Sequence, residues 1–453
     1  MRTAAVRWLA VPSLAACLLG PAVARAAPEP AARLVYVRAG TLIDGTGGPA
    51  RRDVAILVRG ERIEKVEPAR SFPPPAGAEI LDLSGKTVLP GLIDCHDHLT
   101  GELKKGWEWE PVTRTPIDAG IAGTVYALRT LRAGFTTVRN LGDDGGASVP
   151  LRRAIESGLI EGPRIITARQ SLSITGGHGD DLNAFRPDLR LAGVEPIESG
   201  ICDSPDSCRA AVRYQVKYGA DVIKLLATGG VLSSGDELGA RQFSDEELRA
   251  IIGEAHALGR KAAAHAHGTA GIKAAVLAGI DSIEHGSILD DEAVRLMKER
   301  GTYLVPTLMA GEAVENMAKS GEMPEFAAAK ALAVRPLMQQ SFKKAVAGGV
   351  KIAFGTDSGV TPHGRNAHEF ELMVAGGMRP MEAIVAATRS AADLLGRARD
   401  LGTVEPGKLA DLVAVDGDPL TDIAVLKAPV AVIKGGRPVD LGRDAAPRPA
   451  GRP

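Results

Sequence analysis

The chain has 453 residues, of which 45% are hydrophobic, so it can bury a core large enough for one big barrel and a smaller domain. Its formal net charge of −1 excludes an electrostatic argument for nucleic acid or an acidic membrane surface as its partner. Beyond the N-terminal leader, we expect no segment that is long and apolar enough to span a membrane.

Residues 1–26 have the organisation of an export signal. Arg2 and Arg7 precede an apolar stretch at 8–19, which is too short for a membrane span. The tripeptide Ala-Arg-Ala that follows has the form of a signal-peptidase site. We therefore predict cleavage before Ala27 and a periplasmic or secreted mature protein.

The four cysteines lead to three separate expectations. Cys17 ends a sequence that resembles a lipoprotein box, but the apolar run continues to Gly20, which favours the signal peptide over lipidation. Cys202 and Cys208 flank the polar stretch DSPDS, and an oxidising compartment favours a disulfide between them over two free thiols. Cys95 alternates away from its histidine neighbours, so we expect a buried structural thiol.

The periodicity of the sequence changes twice along the chain. Residues 27–86 and 399–440 contain short apolar runs broken by glycine and proline, which is typical of strands joined by turns. Residues 87–398 alternate between strand-like and helix-like segments, as parallel β/α structures do. The tail at 441–453 is rich in alanine, proline and arginine, and we expect it to be disordered. The simplest architecture is a β-sandwich domain, built from both chain ends, that flanks one central α/β domain.

The central region contains eight candidate strands: Thr87–Ile93, Phe135–Asn140, Arg164–Ala168, Asp221–Leu225, Lys261–His265, Ser282–Glu284, Tyr303–Thr307 and Lys351–Gly355. Helical stretches separate most of them. The clearest helix begins at Ser244, which forms a capping box with Glu247, and is closed by Gly259. Eight such units in about 300 residues predict a TIM-like (β/α)8 barrel, whose active site lies at the carboxyl ends of its strands.

Two histidines and a lysine at strand ends indicate a metal site. His96 and His98 are one residue apart, so on a strand both imidazoles point the same way and can bind one divalent metal. Taken alone, this pair is equally compatible with a solvated or structural role. Lys224 interrupts the apolar strand ADVIKLLA, where an ammonium is costly to desolvate. It either reaches the rim of the barrel or is a neutral amine that captures CO2 as a carbamate.

The later strands add further metal-binding side chains. His265 and His267 lie on one face of strand five, while His285 and Asp357 end strands six and eight. Each could separately be a satisfied core or rim residue. Together they converge on one face of the barrel, which predicts bound metals that lower the pKa of a bridging water toward neutrality. Asp357 is the expected general base.

The combined motifs resemble those of the amidohydrolase superfamily, in particular its binuclear-zinc prolidase and Xaa-Arg dipeptidase group, to which ochratoxin-hydrolysing amidases are similar. The resemblance covers nearly the whole mature chain. It rests on these motifs: GLIDCHDH, GADVIK, HAHG, IEHG, GTDSG, AATRSAADLLG and GTVEPGKLADLVAVDGDPL.

The resemblance implies two Zn²⁺ ions, or another divalent metal, bridged by N6-carboxylysine at Lys224. The implied ligands are His96, His98, Lys224, His265, His285 and Asp357. In that group the first histidine of HAHG is the ligand, so the implied role of His267 is catalytic or in substrate binding. Relatives often assemble, which implies a homo-oligomer.

Three further residues are candidates for substrate binding. His178 follows strand three in the glycine-rich stretch ITGGHGDD, where a backbone can approach a ligand closely, so we favour a substrate contact over a loop histidine. His363 follows strand eight, and this position is equally compatible with a place in the pocket wall and with a place outside it. Arg139 ends strand two and either pairs with a substrate carboxylate or forms an internal salt bridge.

We therefore expect an exported enzyme that hydrolyses the amide bond of dipeptides or N-acyl amino acids, including ochratoxin-like amides. Deamination is disfavoured, because sister families of mononuclear deaminases have a glutamate where this chain has Gly268, and they lack the bridging lysine. Two alternatives remain open. One is a lactonase or phosphotriesterase that uses the same metals. The other is a non-catalytic relative that keeps the fold as a scaffold.

Overall fold

A computed structural model of the chain describes residues 32–183, 185–186 and 197–442. The expected signal peptide at 1–26 and the part of the tail from residue 443 onward lie outside these residues. The described strands are β1 (Leu34–Leu42), β2 (Arg51–Arg59), β3 (Arg62–Pro68), β4 (Glu79–Pro90), β5 (Leu92–Asp97), β6 (Phe135–Asn140), β7 (Arg164–Thr167), β8 (Val222–Leu226), β9 (Lys261–Ala266), β10 (Ser282–His285), β11 (Tyr303–Val305), β12 (Lys351–Ile352), β13 (Leu412–Val415), β14 (Pro429–Lys434) and β15 (Arg437–Pro438).

The described α-helices are α1 (Glu110–Thr113), α2 (Pro116–Arg132), α3 (Ser148–Glu156), α4 (Pro205–Lys217), α5 (Asp245–Ala257), α6 (Thr269–Leu277), α7 (Asp291–Arg300), α8 (Leu308–Ser320), α9 (Glu325–Gly348), α10 (His368–Ala375), α11 (Pro380–Val385) and α12 (Ala391–Leu394). Helix α5 has the predicted capping box between Ser244 and Glu247. None of the described helices is both long enough and apolar enough to cross a membrane.

Strands from both chain ends form one seven-stranded sheet in the order β15-β14-β13-β4-β1-β2-β3. Its apolar face has its own core, in which Val37, Ile56, Val88 and Leu412 from four different strands are buried. The pairing of β1 with β4 shifts register at Gly40, where a Cβ atom would lie 2.1 Å from the carbonyl oxygen of Ser84. The prediction of a separate β-structure made from both chain ends is confirmed in this form.

The first predicted strand of the central region, Thr87–Ile93, is wrong in its bounds. Thr87–Pro90 ends strand β4 and pairs with β13 in the seven-stranded sheet. The chain turns at Gly91, whose N–H donates to the Asp411 carbonyl at 2.7 Å, and β5 begins at the next residue. A Cβ at Gly91 would lie 2.2 Å from Oγ1 of Thr136, so only glycine fits this junction. The change from the seven-stranded sheet to the parallel strands, which was predicted at residue 87, therefore occurs at Gly91.

The other seven predicted strands each overlap an observed strand. They belong to two parallel sheets, β5-β6-β7 and β12-β11-β10-β9-β8. The contacts that join the sheets include a parallel bridge between Leu172 and Leu225, and a hydrogen bond of 2.8 Å from the Cys95 N–H to the Phe354 carbonyl. The carboxyl ends of both sets of strands thus lie near one another, which positions the residues that follow each strand.

Three of the four cysteines lie in the described residues, and these three are as predicted. Cys202 and Cys208 form a disulfide with their Cα atoms 5.0 Å apart, and Cys95 is a buried free thiol. The bonded pair joins the segment before α4 to the first turn of that helix. Cys202 also donates its N–H to the carbonyl of Ser173 at 2.9 Å. The disulfide therefore supports the loop that follows β7 and carries His178.

Candidate metal centre

A cavity of about 380 Å³ lies at the carboxyl ends of the parallel strands. The predicted ligands lie on five different strands or strand-like segments, with His96 and His98 on the same one, and all of them line this cavity. They are His96, His98, Lys224, His265, His285 and Asp357. The structure therefore brings the predicted ligand set together, as the positions at strand ends indicated.

Two groups of potential ligand atoms share one histidine. In each of the groups His96–His285–Asp357 and His265–His267–His285, the atoms lie within 4.8 Å of one another. Oδ1 of Asp357 also lies 3.2 Å from Nε2 of His98. The Lys224 Nζ is 3.5 Å from Nε2 of His96. His267, which the sequence analysis gave a catalytic or substrate role, is thus close enough to be a ligand.

Burial keeps the imidazoles neutral at physiological pH. It lowers the pKa of His96 to about 4 and that of His267 to about 3, and it lowers the pKa values of His265 and His285 well below the ordinary value. Burial also lowers the pKa of Lys224 to about 8, which raises the fraction of neutral amine at physiological pH. Neutral imidazoles offer the lone pairs that metal coordination requires.

The carboxylate of Asp357 is ionised in this environment. Burial by itself raises the pKa of Asp357, but electrostatic interactions with the His96 and His285 rings and the hydrogen bond from His98 together hold it below its usual range. An ionised carboxylate between two imidazoles can bind a metal or accept a proton.

Hydrogen bonds from the protein fix the histidine rings. In four of them Nδ1 contacts a protein oxygen, which leaves Nε2 for the cavity. The pairs are His96 with Glu284 Oε2 at 2.9 Å, His98 with Gly142 O at 3.0 Å, His267 with Ser287 Oγ at 2.6 Å and His285 with Thr307 Oγ1 at 2.7 Å. The buried Nε2 of His265 has no hydrogen-bond partner among the described residues. This donor set fits a divalent metal.

Of the two predicted roles of Arg139, the structure shows the internal salt bridge. Its guanidinium is buried, donates to Glu284 Oε1 at 2.8 Å and to Ser282 Oγ at 3.0 Å, and also bonds the Cys95 carbonyl. The guanidinium therefore has no free face toward the cavity.

Glu284, which the sequence analysis missed as a functional residue, bonds Arg139 and His96 at once. Two signals could have found it. A glutamate within a predicted barrel strand requires a cation when it is buried, and Arg139 is a lone charge in another such strand.

His363 does not line the cavity, so its predicted substrate role is wrong. Its Nε2 donates to the Gly101 carbonyl at 2.8 Å, and its ring stacks on Tyr126 with the ring centroids 4.7 Å apart. The imidazole is buried against the protein. His363 lies close to strand eight in the sequence, but this closeness does not indicate on which side of the cavity wall the His363 side chain lies.

His178 does line the cavity. Its ring centroid is 4.3 Å from that of His265, and its Nδ1 contacts Ser233 Oγ at 2.7 Å. Burial lowers the pKa of His178 to about 4, so the ring is neutral. The glycine-rich loop after β7 therefore brings His178 directly to the metal centre.

Comparisons with known proteins agree with this geometry. The model of the amidohydrolase family matches residues 87–439. The chain is 35% identical to ochratoxinase from Aspergillus niger, over 90% of this chain and 86% of that protein. It resembles the crystal structure of a Xaa-Pro dipeptidase with methionine bound in the active site, with 42% identity, a TM-score of 0.86, and coverage of 90% of this chain and 100% of that one. A prolidase complexed with N-methylphosphonate-L-proline is 35% identical with a TM-score of 0.81, over 90% of this chain and 99% of that one. The chain thus belongs to the amidohydrolase family, in its prolidase-like group, and is a hydrolase acting on C–N bonds.

Proposed function

We propose that the protein is a binuclear metal-dependent hydrolase that cleaves the amide bond of dipeptides or N-acyl amino acids. The observation that carries the proposal is the pair of ligand groups that share His285, together with the unpartnered, buried Nε2 of His265. A purely structural cluster of neutral histidines has no reason to leave such an atom unsatisfied.

The residues divide into two metal sites. His96, His98 and Asp357 would hold one cation, and His265 and His285 the other. Lys224 would bridge them as a carbamate, and its lowered pKa supports that modification because the neutral amine is the form that reacts with CO2. When bound, two divalent cations, Zn²⁺ in our proposal, polarise a substrate carbonyl and lower the pKa of water toward neutrality.

Asp357 is the proposed general base. It accepts a proton from the attacking water and delivers that proton to the nitrogen of the leaving amine, so the C–N bond breaks as the new C–O bond forms. His178 and His267 line the same cavity and carry neutral imidazoles. We assign His178 to the substrate carbonyl or carboxylate and His267 to orienting the reacting group.

The relatives support the substrate class. Similar proteins include a Xaa-Pro dipeptidase, whose name points to a peptide bond, and an ochratoxinase, whose name points to ochratoxin. We extend that bond type to this chain and include ochratoxin-like amides among the candidates.

We further propose that the parallel strands close into a (β/α)8 barrel and that the seven-stranded sheet folds over as a β-sandwich. The bridge between Leu172 and Leu225 supports the closure. We propose that the protein is exported, is cleaved before Ala27 and assembles into a homo-oligomer. Its proposed domains are 27–86, 87–398 and 399–440, with the limit between the first two moved to the junction at Gly91. The disulfide between Cys202 and Cys208 supports an oxidising compartment.

A substrate screen tests the function. The zinc-loaded enzyme is incubated with dipeptides, N-acyl amino acids, lactones and phosphotriesters, and kcat/KM is measured for each class. Hydrolysis of amides above the other classes supports the proposal. A preference for lactones or phosphotriesters would replace it with that activity, and no hydrolysis at full metal loading would favour the scaffold role.

A further inference from the structure

One wall of the cavity is apolar and is formed by two neighbouring helices with one loop. We call it the apolar wall. Its members are Ala310, Gly311 and Val314 of α8, Val334 and Met338 of α9, and Val231 and Leu232 of the loop after β8. Apolar surface of this kind recognises an apolar group of a ligand, because removing both surfaces from water is favourable.

The start of α8 is fixed relative to the metal centre. Both carboxylate oxygens of the buried Glu369 accept backbone N–H bonds from the first turn, from Leu308 at 2.8 Å and from Met309 at 2.7 Å. Nη1 of Arg335 in α9 donates to the Leu308 carbonyl at 2.6 Å. Thr307, the residue before α8, contacts Nδ1 of His285 through its hydroxyl. The apolar wall therefore lies at a set distance from the reacting atoms.

Charged groups of the cavity disfavour a carboxylate at the apolar wall. Among the described lining residues, Glu102, Glu110, Asp181 and Asp357 are acidic, and Lys224 beside the candidate ligands is the only lysine or arginine. A carboxylate on a substrate side chain would lie against this wall without a cation to pair with, so its desolvation would be uncompensated.

The depth of the apolar wall depends on the contact between Gly311 and Met338. A Cβ atom on Gly311 would lie 2.7 Å from Sδ and 3.4 Å from Cε of Met338. Because the end of a methionine side chain is flexible, an added methyl group would displace it rather than break the fold. The displaced side chain would occupy part of the cavity.

We propose that the apolar wall is a subsite for a large apolar side chain of the substrate, branched aliphatic or aromatic, and that Gly311 and Met338 determine which side chains it accepts. This inference rests on the proposed amide hydrolysis. It names the preferred substrates as amides with a large apolar residue beside the scissile bond, and it assigns poor turnover to those with an aspartate or glutamate in that place.

The test compares matched dipeptides that carry Ala, Leu, Phe or Asp on either side of the scissile bond. In the wild type, Leu and Phe at one of the two positions should exceed Ala in kcat/KM by about 10-fold or more, and Asp should be the poorest. Gly311→Ala should lower the Leu-to-Ala ratio by about 10-fold. Met338→Ala combined with Gly311→Ala should restore the ratio, because the added methyl group then has space.

Controls separate a local effect from a general one. Leu332→Ala changes an exposed residue of α9 outside the cavity and should leave every ratio unchanged. Val314→Thr keeps the volume but adds a hydroxyl to the apolar wall, so it should lower the ratio even if a Gly311 variant folds poorly. Calorimetric affinities for free L-leucine and L-alanine provide a readout without turnover, and Gly311→Ala should weaken only leucine.

The outcomes distinguish the two levels of the proposal. A zinc-loaded wild type that hydrolyses none of the amides contradicts the proposed function. Hydrolysis with no preference for large apolar side chains, or with a Leu-to-Ala ratio that neither Gly311→Ala nor Val314→Thr changes, overturns the subsite while leaving the function intact.

Discussion

Three residues of the metal centre have left-handed backbone conformations that side chains other than glycine rarely adopt. The φ angles are 69° at His285, 47° at Thr307 and 59° at Asp357. Surrounding contacts hold these conformations: the N–H of Asp357, for example, donates to the His96 carbonyl at 2.7 Å. Backbone strain of this kind persists where the surrounding structure imposes it, and it is concentrated at functional sites.

Replacing Asp357 tests the proton chemistry. Asp357→Asn keeps the size of the side chain but removes its basicity, so we expect kcat to fall by at least about 10²-fold. Metal content is measured on the same sample, because the residue is also a proposed ligand. Near-normal kcat with both metals bound would show that another residue is the base.

A second variant tests the role of Glu284 in orienting His96. Glu284→Gln weakens the hydrogen bond to Nδ1, and we expect metal affinity to fall by about 10- to 100-fold in a competition titration with a chelator. The variant also leaves the Arg139 guanidinium buried without its counterion, which destabilises the fold. The double variant Glu284→Gln/Arg139→Met removes that charge and should recover stability but not affinity. Unchanged affinity in both variants would mean that Glu284 only balances Arg139.

At the residue scale, the sequence predicted the candidate ligands where the chemistry of a side chain and the periodicity of its segment indicated the same role. A histidine or lysine at the end of an apolar strand has few structural explanations, so the ligand positions were predictable. The role of Arg139 and the position of His363 each stayed open between two alternatives, because sequence position does not indicate the side of a wall to which a side chain points. The hydroxyl partners Ser287 and Thr307 carry no signal of their own.

At the element scale, seven of the predicted strands were found because each has an apolar run bounded by turn residues. The exception is the run from Thr87 to Ile93, which is continuous in hydrophobicity but is divided between two sheets at Gly91. The division depends on close contacts with Thr136 and Asp411, which are distant in sequence. No local pattern reports such contacts.

Asp281, which precedes β10, gives a pH-dependent prediction. Burial alone raises its pKa, but hydrogen bonds from Lys261, the Ala262 N–H and His256 outweigh it and hold the pKa below 3.8. The ionised carboxylate therefore contributes stability above its ordinary pKa, and the contribution is lost as the pH falls through the lower folded-state value. Asp281→Asn should lower the free energy of unfolding by about 1 kcal/mol or more at pH 7.

The difference between wild type and Asp281→Asn should shrink in denaturant unfolding as the pH falls from the ordinary pKa of an aspartate through the lower folded-state value, below which the carboxyl group is uncharged like the amide. The exposed Asp291→Asn is the matched control and should change stability by less than about 0.5 kcal/mol. A pH-independent difference for Asp281→Asn would contradict the assigned cause.

The disulfide of the loop after β7 is also testable. The two cysteines are 6 residues apart, so the closed loop is short and the cross-link should contribute about 2 kcal/mol to the free energy of unfolding. Cys202→Ser/Cys208→Ser should lose that amount and keep its metals, because neither residue is a proposed ligand. A reducing agent should destabilise the wild type and not the variant. Equal stability of the two proteins under oxidising conditions would show that the bond contributes nothing.

At the scale of the whole molecule, one apolar core is formed by the seven-stranded sheet, while Leu89, Val413 and Val415 of the same sheet belong to the core of the parallel sheets. The division into chain ends and centre was predictable, because alternation and strand–helix repetition differ in period. The substrate preference was not predictable, because the apolar wall combines α8, α9 and a loop. The sequence pattern does not specify how these three segments pack together.

The most direct test of the account is the metal content of the purified, active enzyme, measured by mass spectrometry alongside kcat for an amide substrate. We predict two metals per chain, activity that is lost to a chelator and restored by Zn²⁺, and loss of both the second metal and activity in Lys224→Ala. Full amide hydrolysis by enzyme that contains less than about half a metal per chain would contradict the binuclear mechanism.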